Sequence, residues 1–80
     1  MIIIVYINYA NLKKARKFKG VTQKELAKKV LDVTQKTYNL KETGNRDFFL
    51  MEAKKMADYY NVTIDQLFFS QDVTEWLKED

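Results

Sequence analysis

Glycine occurs only at positions 20 and 44 of this 80-residue chain, and proline does not occur at all. Those residues interrupt regular backbone most readily, so a chain with so few of them is expected to be a run of regular elements stopped by side-chain chemistry. The stops are legible. Thr22-Gln23-Lys24-Glu25 and Thr63-Ile64-Asp65-Gln66 each have the spacing of a capping box, in which a threonine hydroxyl and a side chain three residues on satisfy orphan amides at a helix start. Thr34 is a further N-cap candidate, and Gly20, Gly44 and Asn61 stand where left-handed stops are needed.

Between those marks the apolar residues recur at helical spacing. A first helix is expected from Asn11 to Lys19, with Asn8 and Asn11 as the break and N-cap and with Leu12, Ala15 and Arg16 on one arc. A second runs from Thr22 to near Leu31 with Leu26, Ala27 and Val30 inward, and a third from Thr34 to about Glu42. The fourth, Leu50 to Tyr60, turns Ala53, Met56, Ala57 and Tyr60 inward, and a short fifth starts after Thr63 with Ile64 and Leu67 on its buried side. Residues 2 to 7 are almost all β-branched or aromatic, which favours a short N-terminal β-strand over a helix or a disordered leader. That strand is expected to pair with a segment after Leu67, where Phe68 and Phe69 read equally as a strand or a last helical turn. The expected fold class is mainly α: a compact five-helix domain spanning residues 1–80.

Composition removes whole classes of chemistry. With no Cys and no His there is no disulfide, no Cys/His zinc site, no thiol nucleophile and no imidazole base. Acidic pairs exist, but none accompanies a recognisable nucleophile, phosphate loop or metal set, so no enzyme, metal or cofactor is expected. Met1 to Ile7 lacks the basic start of a secretory leader and is far shorter than the roughly 20 residues of a membrane-spanning helix. A cytoplasmic protein without a membrane partner is expected. Charge is strongly segregated: residues 8–46 hold eleven Lys/Arg against three acids, a net +8, whereas residues 47–80 hold three Lys against eight acids, a net −5. Such a chain suits one face turned to a polyanion and another turned away; well-solvated lysine-rich helices are the plainer alternative.

Two short helices, each with its own N-cap and the second followed by Gly44, have the layout of a helix-turn-helix. On the outward face of the second of these, Gln35, Lys36 and Asn39 fall within about one turn. Gln and Asn can each pair bidentately with adenine, and Lys can donate to guanine O6 and N7. Without the surrounding motif the same residues would read as an ordinary solvated helix face. Gln23, at a helix start with free amides, is suited to a phosphate or is simply a polar first-turn residue.

The string Leu12-Lys-Lys-Ala-Arg16, Gly20-Val-Thr-Gln-Lys-Glu-Leu-Ala27, Thr37-Tyr38, Lys41-Glu42-Thr-Gly44, Glu52-Ala53 and Val62-Thr-Ile-Asp-Gln-Leu67 resembles the Cro and phage-repressor family, also called XRE-type regulators, over roughly residues 11–68. The resemblance implies a Cro/repressor-like helix-turn-helix whose third helix enters the major groove. It implies base contact at Gln35, Lys36 and Asn39, with Leu40 able to touch a thymine methyl. Phosphate contact is expected at Gln23, Lys24, Thr34, Thr37, Asn45 and Arg46. It also implies pairing of Arg16 with Glu42. Three departures stand out. The turn Val30-Leu31-Asp32-Val33-Thr34 lacks the family's glycine and is one residue longer; Leu40 stands where a further base contact is often supplied but cannot hydrogen-bond; and Lys41 replaces a residue that is usually apolar.

Together these features predict a regulator of transcription that binds double-stranded DNA, acting as a homodimer on an inverted repeat and repressing by excluding polymerase. Apolar surface for a dimer is expected at Met1 to Ile7, Phe68-Phe69 and Trp76-Leu77. The alternative is a protein-interaction module, an antitoxin or antirepressor that grips a partner protein through the acidic half and Phe68, Phe69 and Trp76. DNA binding by the isolated chain separates the two.

Overall fold

The computed structural model describes residues 6–78. Helix α1 (Tyr9–Lys19) is followed by α2, which begins as Gln23–Leu26 and passes directly into a π-helical turn over Ala27–Leu31. Helices α3 (Gln35–Glu42), α4 (Leu50–Tyr60) and α5 (Ile64–Phe69) follow, and a 3₁₀ turn at Val73–Glu75 closes the described chain. Helix α1 packs against α3, α5 and the 3₁₀ turn, and α2 packs against α3 and α4. The core they share includes Leu12, Leu26, Tyr38, Met56, Tyr60 and Leu67, each 2% exposed or less.

The caps work as their chemistry requires. Thr22 accepts from the Glu25 amide at 3.1 Å and Thr63 from the Gln66 amide at 3.0 Å, and Glu25 and Gln66 accept in return from the threonine amides. Thr34 accepts from the Thr37 amide at 3.1 Å. Helix α4 has half such a box: Glu52 accepts from the Phe49 amide at 2.9 Å, but Phe49 has no acceptor to return. Asn61 takes φ 58° and ends α4. Gly44 takes φ 84°, a left-handed backbone that favours glycine, and a Cβ there would crowd the ring of Tyr9 at 3.1 Å.

The longer turn before α3 is absorbed inside α2. The Asp32 amide reaches back five residues to the Ala27 carbonyl, widening the last turn into a π-helix; the Val33 amide adds a second bond to that carbonyl at 3.0 Å, and Asp32 takes φ 54° in the left-handed place a glycine would fill. The two helices still meet closely, with Leu26, Ala27 and Tyr38 all buried.

Among the described residues no strand is found. Residues 1–5 lie outside the described part, Tyr6–Asn8 form no strand, and the segment after Leu67 continues as α5 and then as the 3₁₀ turn. Its helical start follows from the Thr63 box, and among the described residues one backbone bond, Asn8 N–H to the Phe68 carbonyl at 2.7 Å, joins the two segments. Asn11 is likewise no cap, because α1 starts earlier, at Tyr9. It is fully buried: its Nδ2 donates to the Ser70 carbonyl at 2.7 Å and its Oδ1 accepts from the Val73 amide at 3.0 Å. Asn8 Nδ2 adds bonds to the Ser70 and Gln71 carbonyls, each at 3.1 Å. Two asparagines thus satisfy the backbone of the turn after α5, where a strand had been expected to do so.

Asn11→Ala would leave the buried Val73 amide unpaired, at a cost of about 1–3 kcal/mol, and would leave the Ser70 carbonyl to Asn8 alone. Denaturant unfolding is expected to show a loss of at least about 1 kcal/mol. A change below about 0.5 kcal/mol, the size of an ordinary surface substitution, would contradict the clamp.

Candidate nucleic-acid interface

Helix α3 is held by one side and shows the other. Tyr38, Lys41 and Glu42 are buried, while Gln35, Lys36 and Asn39 are exposed. Among the described residues, Gln35 and Lys36 make no side-chain hydrogen bond. Leu40 is half-buried, and its carbonyl accepts from the Asn45 and Arg46 amides at 2.8 and 3.1 Å. The Thr34 hydroxyl donates to the Thr37 hydroxyl at 3.0 Å beside the helix start. Asn45 donates to the Thr43 hydroxyl at 2.9 Å, Arg46 is exposed in the loop after Gly44, and Lys24 is exposed in the first turn of α2.

The inner side of α3 ends on one carboxylate. Glu42, 6% exposed, accepts on Oε1 from Arg16 Nε at 2.9 Å and from the Tyr38 hydroxyl at 3.0 Å. Its Oε2 accepts from Arg16 Nη2 at 3.3 Å and from Gln23 Nε2 at 2.6 Å. Arg16 also donates to the Val21 carbonyl at 3.2 Å, so α1, the α1–α2 turn, α2 and α3 converge on this group. Burial pushes the Glu42 carboxyl up, but the hydrogen bonds from Arg16, Gln23 and Tyr38 outweigh it and hold it below the usual carboxylate range. Burial, reinforced by Glu42, pushes the Tyr38 hydroxyl up, and burial does the same to Tyr60.

Gln23 therefore stands with its amide nitrogen turned inward to Glu42 rather than outward from the helix start. Its Oε1 accepts from Asn39 Nδ2 at 3.2 Å, so two expected contact residues on different helices are joined.

A second buried charge was not anticipated as such. Lys41 is 3% exposed, donates to Glu52 Oε1 at 2.7 Å and to the Asp47 carbonyl at 2.9 Å, and lies 4.9 Å from the ring centre of Phe49. It fixes the start of α4 to the end of α3, with its methylenes packed and its charge neutralised. The signal was present: Lys41 is three residues beyond inward Tyr38, and Glu52 lies in the first turn of the helix expected from Leu50.

The expected apolar surfaces differ in part. Phe68 is 2% exposed and Leu77 8%, so neither is available to a partner, whereas Phe69 and Trp76 are half-exposed. The larger exposed run is Phe49, Leu50 and Met51, at 73%, 75% and 65%. Among the described residues no group of acidic side chains could hold a metal ion, and no helix is long and apolar enough to cross a membrane.

A capped helix with a polar outer face, clamped through a buried carboxylate to the helix before it, is the arrangement of a helix-turn-helix domain. A family model described as helix-turn-helix matches residues 12–67, most of the chain. The chain belongs to that family, the Cro/repressor or XRE-type DNA-binding regulators of transcription. No curated protein and no solved structure matches it.

The Glu42 cluster sets a pH dependence whose sign follows from the shifts. Because the folded carboxyl is depressed, the unfolded chain takes up the proton first, and stability is lost as pH falls below about 4.3, the ordinary glutamate value. Tyr38 and Tyr60 are raised, so stability is lost in the other direction, above about pH 10. In melts at a series of pH values, Glu42→Gln should flatten the acid limb. An identical acid limb would contradict the assignment. Arg16→Met, which strands the carboxylate, should cost about 3 kcal/mol or more at neutral pH.

Proposed function

We propose that the chain is a repressor that acts as a homodimer on an inverted-repeat operator, with α3 of each copy in the major groove. The observation that carries this is the face of α3, where Gln35, Lys36 and Asn39 are exposed while the opposite side supplies the core. Base contacts fall to Gln35, Lys36 and Asn39, with Leu40 against a thymine methyl. Phosphate contacts fall to Lys24, Thr34, Thr37, Asn45 and Arg46 around the two helix starts and the loop after α3, with Gln23 at the rim. The net +8 of residues 8–46 supports the electrostatic part, since each neutralised phosphate releases counterions.

One copy reads too few base pairs for a unique site. Two copies related by a two-fold axis would address half-sites about 34 Å apart. The exposed run Phe49-Leu50-Met51 supports pairing of this kind, because three adjacent apolar side chains gain by mutual burial. A bound dimer represses by occupying sequence that polymerase needs, and it does so in the cytoplasm.

Selection from a random pool of duplex DNA is expected to return an inverted repeat with half-sites centred about ten base pairs, or a multiple of that, apart. A single unrepeated site would contradict the dimer. On the selected site Gln35→Ala should cost about 1–3 kcal/mol and relax one base pair, while Lys24→Ala should weaken all sequences alike. Equal losses on specific and random DNA for Gln35→Ala would overturn base readout.

A further inference from the structure

The buried carboxylate and the reading face are connected. We propose that Glu42, acting through Gln23, fixes which hydrogen-bonding atoms Asn39 shows to DNA, so that Gln23 is a positioning residue for discrimination of adenine from guanine. This rests on the reading of α3 as the element that contacts bases.

The connection follows from donor and acceptor polarity. A carboxylate only accepts, so the 2.6 Å contact to Glu42 Oε2 must come from the Gln23 amide nitrogen. Turning that amide over would set its oxygen against a carboxylate oxygen already fixed by Arg16. With Nε2 held inward, Gln23 Oε1 faces Asn39, and the 3.2 Å contact there can only be a donation from Asn39 Nδ2. One Asn39 N–H is thereby engaged, and the side chain is left with Oδ1 and one remaining N–H to offer. That donor and acceptor pair matches N7 and the N6 amino group of adenine. Guanine presents acceptors at both N7 and O6, so an oriented Asn39 would set its oxygen against O6.

The anchor is stiff where it needs to be. Glu42 is 6% exposed and Tyr38 holds its other oxygen, whereas Gln23 is only half-buried and Asn39 is exposed. Orientation is therefore set in the core and delivered at the surface. Released from Gln23, the Asn39 amide can turn over and donate to guanine O6. This role differs from phosphate contact by Gln23, which would add the same affinity to every sequence.

The test uses the full chain and the site returned by selection. Asn39→Ala identifies the base pair whose preference depends on Asn39, and binding is then compared on duplexes carrying adenine or guanine there. Gln23→Leu, with folding checked by melting, should reduce the adenine-over-guanine ratio about tenfold, within the range of one bidentate contact, a change in ratio that loss of a phosphate contact alone would not produce. Glu42→Gln should reduce the same ratio, and the double variant no further. If Gln23→Leu weakens both duplexes equally, or leaves both unchanged, the relay is overturned while base reading by Asn39 stands. A pair that depends on Asn39 but shows no preference for adenine over guanine also overturns it. If Asn39→Ala alters no base preference, the underlying reading of α3 fails, and the relay with it.

Discussion

Glu42 is a charged group taken almost wholly out of water at the meeting point of α1, α2 and α3. An isolated carboxylate in that position would be strongly unfavourable, and only a full set of donors makes it tolerable. Arg16, Tyr38 and Gln23 supply them, each from a different turn of backbone, so the carboxylate is satisfied only when the three helices hold one mutual arrangement. Such a group contributes less to net stability than to uniqueness, because any slip of α3 along its axis strands it. Apolar contacts among Leu12, Leu26 and Tyr38 bring the helices together, and the carboxylate selects the register in which α3 faces outward with Gln35, Lys36 and Asn39.

The helices were legible because their boundaries are written in local chemistry. The boxes at Thr22 and Thr63, the cap at Thr34 and the stops at Gly20, Gly44 and Asn61 act within a few residues, and all form as the spacing predicts. What the described residues overturn is the strand partner inferred from propensity alone. The Ile-rich start, whose residues 1–5 lie outside the described part, suggests a strand that needs a partner edge, but the sequence after Leu67 is committed to helix by the Thr63 box and then tied down by the side chains of Asn8 and Asn11. A polar side chain that satisfies a distant backbone segment leaves no periodic trace. The π turn in α2 was visible only as an extra residue and a missing glycine, because the way a chain absorbs an insertion depends on what it packs against.

The candidate site divides along the same line. That Gln35, Lys36 and Asn39 share the outer face of α3 follows from helical spacing, and the Arg16 and Glu42 pairing from family resemblance. That Gln23 joins this pair, and through it Asn39, could not be read from spacing, since it brings together residues 19 and 16 positions apart. Lys41 is the opposite case: a charge on an inward position reads as an anomaly until Glu52 and the Asp47 carbonyl are placed beside it.

The two buried ionic clusters also divide the labour of the domain. Glu42 aligns α3 with the helices before it, and Lys41 ties α3 to the helix after it, so the reading helix is fixed at both its flanks. We propose that this fixed helix is the surface that meets DNA. Titrating isotopically labelled protein with the selected duplex and following backbone and side-chain amide resonances tests it most directly. The largest changes should fall on Gln35, Lys36 and Asn39, including their side-chain groups, with smaller ones at Lys24, Asn45 and Arg46. Changes confined to α4, α5 and the 3₁₀ turn, with α3 unmoved, would rule out α3 as the DNA-binding surface.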